Sequence, residues 1–233
     1  MVSPDFTVII TFQHRQALAS SVDTLAALCY LFHMIFTRLL NLEYQPYAES
    51  LDLMRGLAEA KRFADLPEIL MLVEHEPVLT LGYRAQTDDI LIPEDTLRAM
   101  HIGVHRVERG GLVTYHGPGQ LMAYPVFNLR ALKLGVAKFI SLLEEVIIST
   151  LSYFGLHAAR KAKHPGNPCG INGVRMTSMT RLLDSRIDPA MVRERIIYHF
   201  ERIFNLNLNP WPLTIAKQAG KTNDSKNPQT ALA

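Results

Sequence analysis

"ERGGLVTYHGPGQLMAY", residues 108 to 124, is the most informative stretch of the chain. Glycines at 110, 111, 117 and 119 let the backbone approach a ligand closely and adopt positive φ. Arg109, Thr114, Tyr115, His116 and Gln120 supply polar groups among them. No Lys-Ser/Thr pair follows the glycines, so this is not the phosphate-cradling Walker A loop, and it is not G-x-G-x-x-G either. A glycine-rich loop of this kind suits a site where backbone N–H groups and a few donors face a polar carbonyl or carboxyl end. The competing reading is a structural hairpin with incidental polar residues. Function concentrates in such loops, which favours the first.

Around this loop the chain reads as strands grouped with a few helices. Leu121 to Leu129 is an extended run, with Pro125 placing it near an edge or bend. Ile69 to Val73 is continuously apolar, the pattern of a strand buried on both faces. Leu79 to Gly82 closes a second short extended segment, after a polar turn in which Pro77 stops the ladder. "VHRVER", from Val104, alternates apolar and polar, as a strand does. Helical spacing of apolar residues marks 45 to 63 and 136 to 155, the latter ended by Gly155. A further helix is expected over 189 to 204, opened by Pro189, and a short one from Pro93 with Gly103 as its cap. Strict βα alternation is missing, so the fold class is α+β with a mixed sheet.

Of the 233 residues, 48% are hydrophobic, enough for one sizeable core. The net charge of +2 and the lack of a long Lys/Arg run give no footprint for nucleic acid. Cys29 and Cys169 are the two cysteines; they make no disulfide framework and point to a reducing, cytoplasmic setting. No His/Cys cluster has zinc spacing, so no metal is expected. Residues 24 to 37 carry no formal charge but fall short of the roughly 20 residues that cross a bilayer. They are read as an apolar helix within an N-terminal extension, 1 to 38, that lies outside the domain. Residues 209 to 233 are read as a polar C-terminal tail. No interface pattern is visible, so a monomer is expected.

Arg109 to Tyr124 closely resembles the Arg-Gly-Gly…Thr-aromatic-His-Gly-Pro-Gly-Gln…Tyr pattern of the lipoyl(octanoyl) transferases, the octanoyltransferase family of lipoate biosynthesis. "EHEPVLTLG", 74 to 82, and "PCGINGVRMTS", 168 to 178, are similar to two more family segments in family order. The resemblance runs from about residue 39 to about 208 and implies one octanoyltransferase domain. It implies a biotin/lipoate ligase-like fold, a mixed sheet flanked by helices. It implies transfer of an octanoyl or lipoyl group from acyl carrier protein to a lysine of lipoyl domains. Those acceptors are the E2 subunits of 2-oxoacid dehydrogenases and the glycine-cleavage H protein. Cys169 would be the catalytic nucleophile, carrying the acyl group as a thioester. Arg109, Gly110, Gly111, Leu112, Val113, Thr114, Tyr115 and His116 would bind substrate. No cofactor is implied, and no ATP-binding feature is present.

The chain departs from the family in one place. The family lysine that lowers the thiol pKa stands in a segment before Pro-Cys-Gly, together with a His-Gly-x-Ala-Leu-Asn run. Here Gly166 is followed at once by Asn167, as if that segment and several strands were missing. Lys161, Lys163, His164 and His116 are the nearby groups that could replace the lysine. The alternative to an active transferase is therefore an impaired homologue that binds acyl carrier protein or a lipoyl domain without efficient turnover.

Overall fold

The computed structural model describes residues 7–10, 35–160 and 176–221. Strands β1 (Thr7–Ile10), β2 (Ile35–Tyr44), β3 (Glu68–Glu74), β7 (Gln120–Val126) and β8 (Leu206–Pro210) form one sheet in the order β1-β7-β3-β2-β8. The β7–β3 pair is antiparallel and the other three are parallel, so the sheet is mixed. A smaller sheet, β5-β4-β6, is built from β4 (Val78–Leu81), β5 (Gly103–Arg106) and β6 (Val113–His116).

The continuous apolar run at Ile69–Val73 is explained by burial on both sides. Leu70 and Leu72 join the cluster made by α3 (Val136–Tyr153) and α5 (Pro189–Phe204), with Phe139, Leu143, Ile196 and Phe200 among its members. Ile69, Met71 and Val73 face the opposite cluster, with Leu51, Met54 and Leu57 of α1 (Tyr47–Phe63). Strand β7 divides in the same way: Leu121 and Ala123 to one face, Met122 and Tyr124 to the other. A side chain of this size contributes roughly 1.5–3 kcal/mol when fully buried. Two layers of helix therefore fix the register of β3 against β7, because a one-residue slip would exchange both faces.

Cap chemistry sets the helix ends. The Asp188 carboxylate accepts from Ala190 N at 2.9 Å at the start of α5, with Pro189 following, and Asn205 at φ 54° closes it. Gly155, at φ +78°, ends α3 as its sequence implied. At the foot of β3, Lys61 Nζ donates to the Pro67 carbonyl at 2.7 Å and pairs with Glu68 at 3.3 Å, and Asn128 N donates to the same carboxylate at 2.7 Å. One buried pair thus ties α1, β3 and the exit of β7 together.

Several expectations are corrected. Part of the supposed extension belongs to the sheet: Thr7–Ile10 pairs with Gln120–Ala123, and Ile35–Arg38 opens β2 rather than ending a helix. A strand laddered on both sides is favoured there over a helix, since β2 has β3 and β8 as neighbours. Residues 24 to 34 lie outside the described part. The stretch read as a polar tail begins with regular structure. Asn209 and Pro210 finish β8, and Leu213–Lys221 forms a helix, α6, packed on α1. Part of its contact is backbone against backbone, since a Cβ on Gly56 would lie 2.8 Å from the Gly220 carbonyl oxygen, and Ala216 is buried in the same cluster as Leu51, Met54 and Leu57. The short helix α2 (Glu94–Ala99) is closed by His101 at φ 54°, and Gly103 begins β5 instead of capping. The glycine-rich loop itself contains a strand, β6, paired with β4. None of the described helices is long and apolar enough to cross a membrane.

Candidate active site

The expected substrate segment, Arg109 to His116, folds against β4. In the antiparallel register His116 faces Val78, Tyr115 faces Leu79, Thr114 faces Thr80 and Val113 faces Leu81. The turn before β6 wraps Gly82. Gly82 N donates to the Leu112 carbonyl at 3.1 Å, and Tyr83 N to the Arg109 carbonyl at 3.0 Å. A Cβ on Gly82 would lie within 2.9 Å of the carbonyl oxygens of Arg109, Gly110 and Gly111. Only glycine admits this approach. The Leu-Gly that ends one motif and the Arg-Gly-Gly that opens the next are thus two halves of one turn.

Arg109 is buried, at 6% exposure. Its Nη2 donates to the Thr80 carbonyl at 2.5 Å and to Thr80 Oγ1 at 2.8 Å; Nε reaches the same hydroxyl at 3.1 Å, and Nη1 the Gly110 carbonyl at 2.9 Å. The guanidinium therefore clamps β4 to the turn. His116 is buried too, its Nε2 3.2 Å from Thr80 Oγ1 and its ring parallel to that of Tyr47 at 6.2 Å. Tyr115 and Gly110 are exposed, and Gly111, Leu112, Val113 and Thr114 are half-buried.

The Glu74-His75-Glu76 run braces this arrangement. Glu74 Oε2 accepts from Gly119 N at 3.0 Å, holding the turn that follows His116, and Oε1 accepts from Arg193 of α5 at 3.1 Å. His75 Nδ1 lies 3.0 Å from the Gln45 carbonyl, which can only accept, so Nδ1 carries the ring proton. Its Nε2 then accepts from the Tyr124 hydroxyl at 3.0 Å. Glu76 accepts from Tyr47 N at 2.9 Å, on the first residue of α1. Tyr47 in turn packs edge-on against His75 at 5.1 Å. A cavity of about 540 Å³ is lined by Glu74 together with Asn41, Tyr44 and Arg193 among others. Arg193 is already bonded there to Asn41, Leu42, Glu43 and Glu74, which leaves it little to offer a ligand.

Burial dominates the electrostatics. It pushes the His116 pKa down to about 3, helped by nearby His75 and Arg109. It lowers His75 as well, partly opposed by the bond to the Gln45 carbonyl. Tyr47 is raised to about 12, again by burial first. At neutral pH both imidazoles and the Tyr47 phenol are uncharged, and Arg109 is the cation at the centre of the group.

Of the residues expected from sequence, the structure brings Arg109 and His116 together through Thr80. Cys169, with Lys161, Lys163 and His164, lies outside the described residues. Thr80, Glu74, Tyr47 and Tyr124 escaped notice as site residues. Thr80, Glu74 and Tyr124 stood inside matched motifs, but the hydrogen bonds that give them roles span 29 to 49 positions.

Comparison with known proteins places this geometry. The family described as the lipoyl protein ligase A/B catalytic domain matches residues 46–166, just over half of the chain. The octanoyltransferase of Cellvibrio japonicus is 33% identical over 201 residues, covering 70% of this chain and 90% of that protein. That of Syntrophobacter fumaroxidans is 34% identical over 205 residues, covering 71% and 90%. Seventy per cent of 233 residues is about 163, so about 38 of the 201 aligned positions have no counterpart here. Among solved structures, a lipoate-protein ligase A bound with ATP superposes with a TM-score of 0.59 at 15% identity, covering 83% of this chain and 96% of that one. A bipartite lipoate protein ligase of Thermoplasma acidophilum gives 0.54 at 14%, covering 83% and 93%. Those two likenesses establish the fold. The sequence matches establish the relationship: the chain belongs to the lipoyl protein ligase A/B catalytic domain family, as a homologue of its octanoyltransferases.

Proposed function

We propose that the chain transfers an octanoyl or lipoyl group from acyl carrier protein to a lysine of a lipoyl domain, in the cytoplasm, through a thioester on Cys169. The identity with octanoyltransferases over most of their length carries this reading. The Arg109–His116 segment, braced by Thr80 and Glu74, is the substrate-facing part. The Cys169 thiolate adds to the donor thioester carbonyl, the new C–S bond forms, the donor C–S bond breaks, and the carrier leaves as thiolate and takes up a proton from solvent. The neutral lysine amine of the acceptor then attacks, an amide C–N bond forms as the Cys169 C–S bond breaks, the amine proton passes to solvent, and Cys169 departs as thiolate.

A free thiol has a pKa of about 8.5, so an activator matters. His116 does not supply one as an imidazolium, because it is neutral at working pH. The family resemblance leads us to expect the activating lysine in a segment that this chain lacks at the Gly166–Asn167 join. The matched family region also stops at residue 166. That observation favours a second reading, an impaired homologue that binds acyl carrier protein or a lipoyl domain. Incubation with octanoyl-acyl carrier protein and intact-mass measurement separates the two. One octanoyl adduct, lost in Cys169→Ser and discharged by an unmodified lipoyl domain, supports the transferase. An adduct that persists with the acceptor present, or none at all, supports the impaired homologue.

A further inference from the structure

A threonine hydroxyl has one proton to donate and two lone pairs to accept with. Thr80 receives two N–H groups from Arg109, Nε at 3.1 Å and Nη2 at 2.8 Å. The guanidinium does not deprotonate, so both lone pairs stay occupied. His116 Nε2, 3.2 Å from the same oxygen, therefore has nothing to donate into. It meets the hydroxyl as an acceptor, and the Thr80 proton points to it. The competing acceptor, the Thr114 carbonyl, is farther away at 3.4 Å. A neutral imidazole with an accepting Nε2 carries its proton on Nδ1. His116 is only 2% exposed, and its Nδ1 is buried without a hydrogen-bond partner among the described residues. A buried N–H left unsatisfied costs about 1–3 kcal/mol, and native proteins keep few of them.

We propose that Thr80, saturated by Arg109, fixes His116 as its Nδ1–H tautomer, so that the site holds one buried N–H donor for the carbonyl oxygen of a bound acyl thioester. The identity of the acceptor rests on the transferase reading; the tautomer does not. Thr80 is a positioning residue here, acting through His116. A donor aimed at a carbonyl gains strength as negative charge builds on that oxygen during attack. A neutral N–H also serves this role without placing a second cation beside Arg109.

Nitrogen-15 NMR of the histidine rings decides it, with His116 assigned among the nine histidines by its loss in His116→Asn. The free protein should show a protonated Nδ1 and an unprotonated Nε2 at His116. Thr80→Ser should keep that pattern, and Thr80→Val should move the proton to Nε2 or mix the two forms. In Cys169→Ala, saturating S-octanoyl-pantetheine should shift the Nδ1–H resonance downfield. A wild-type Nε2–H tautomer overturns the proposal, as does an Nδ1–H indifferent to bound thioester. If Thr80→Val does not fold, the wild-type and Thr80→Ser spectra still decide the tautomer. A thioester that does not bind at all counts against the transferase reading, while the tautomer is decided on the free protein.

Discussion

His116 is an imidazole that folding makes harder to protonate. Its pKa falls to about 3 in the folded chain, chiefly through burial. In the unfolded chain the same ring titrates near 6.5, so between the two values the unfolded state binds more protons. Stability therefore falls as pH is lowered through this window. The contribution is complete above about pH 6.5 and is lost as pH drops toward about 3. At about 1.4 kcal/mol per unit, the whole effect is on the order of 5 kcal/mol. Urea unfolding between neutral and acid pH should show the slope, and His116→Asn should flatten much of it. His75, lowered in the same direction, keeps some slope in that variant. An identical slope in wild type and variant would mean that His116 is not buried as described. The identities of Arg109 and His116 were legible in the sequence, because a glycine-rich stretch with polar residues announces itself. Their partners were not: Thr80 bonds to Arg109 across 29 positions, and one sequence does not show which distant hydroxyl a guanidinium will find.

Among the elements, the long periodic ones were readable. The α1 and α3 helices and the buried strand β3 carry apolar residues at the spacing their geometry demands. Element α6 was read as part of a polar tail; its seat on α1 sets Gly220 against Gly56 beside the buried Ala216, with Leu213 and Ala219 partly buried there. Gly56→Ala tests that contact. The added methyl would meet the backbone of Gly220, which cannot rotate away as a side chain could, so α6 must move. A loss of about 1–3 kcal/mol is expected in chemical denaturation. Hydrogen exchange should quicken over residues 213–221 and change little in β3. Unchanged exchange there would contradict the close packing. Strand β6 escaped for a different reason: the glycines on both sides of it signal turns, and Thr114, Tyr115 and His116, each carrying a polar group, do not alternate apolar with polar.

For the molecule as a whole, the outer flank of β7 decides how the sheet ends. Leu121, Met122 and Ala123 are fully buried, and β1 is the strand that pairs along this flank. An apolar strand left as an open edge is a template for pairing with another chain. Removing residues 1–12 should therefore expose alternate β7 amides to hydrogen exchange and promote association, seen by light scattering. A monomeric truncated chain with β7 fully protected would show that β1 is dispensable. The sequence by itself determined the class of fold, the order of its major elements and the family, since periodicity and short motifs are properties of neighbouring residues. Only the tertiary structure decided that Thr7–Ile10 adds to the sheet, that α6 docks on α1, and that Arg109 and His116 meet over one threonine hydroxyl. Each of those depends on which distant backbone edge or buried polar atom is left without a partner once the core has closed. That is fixed by packing in three dimensions rather than by spacing along the chain.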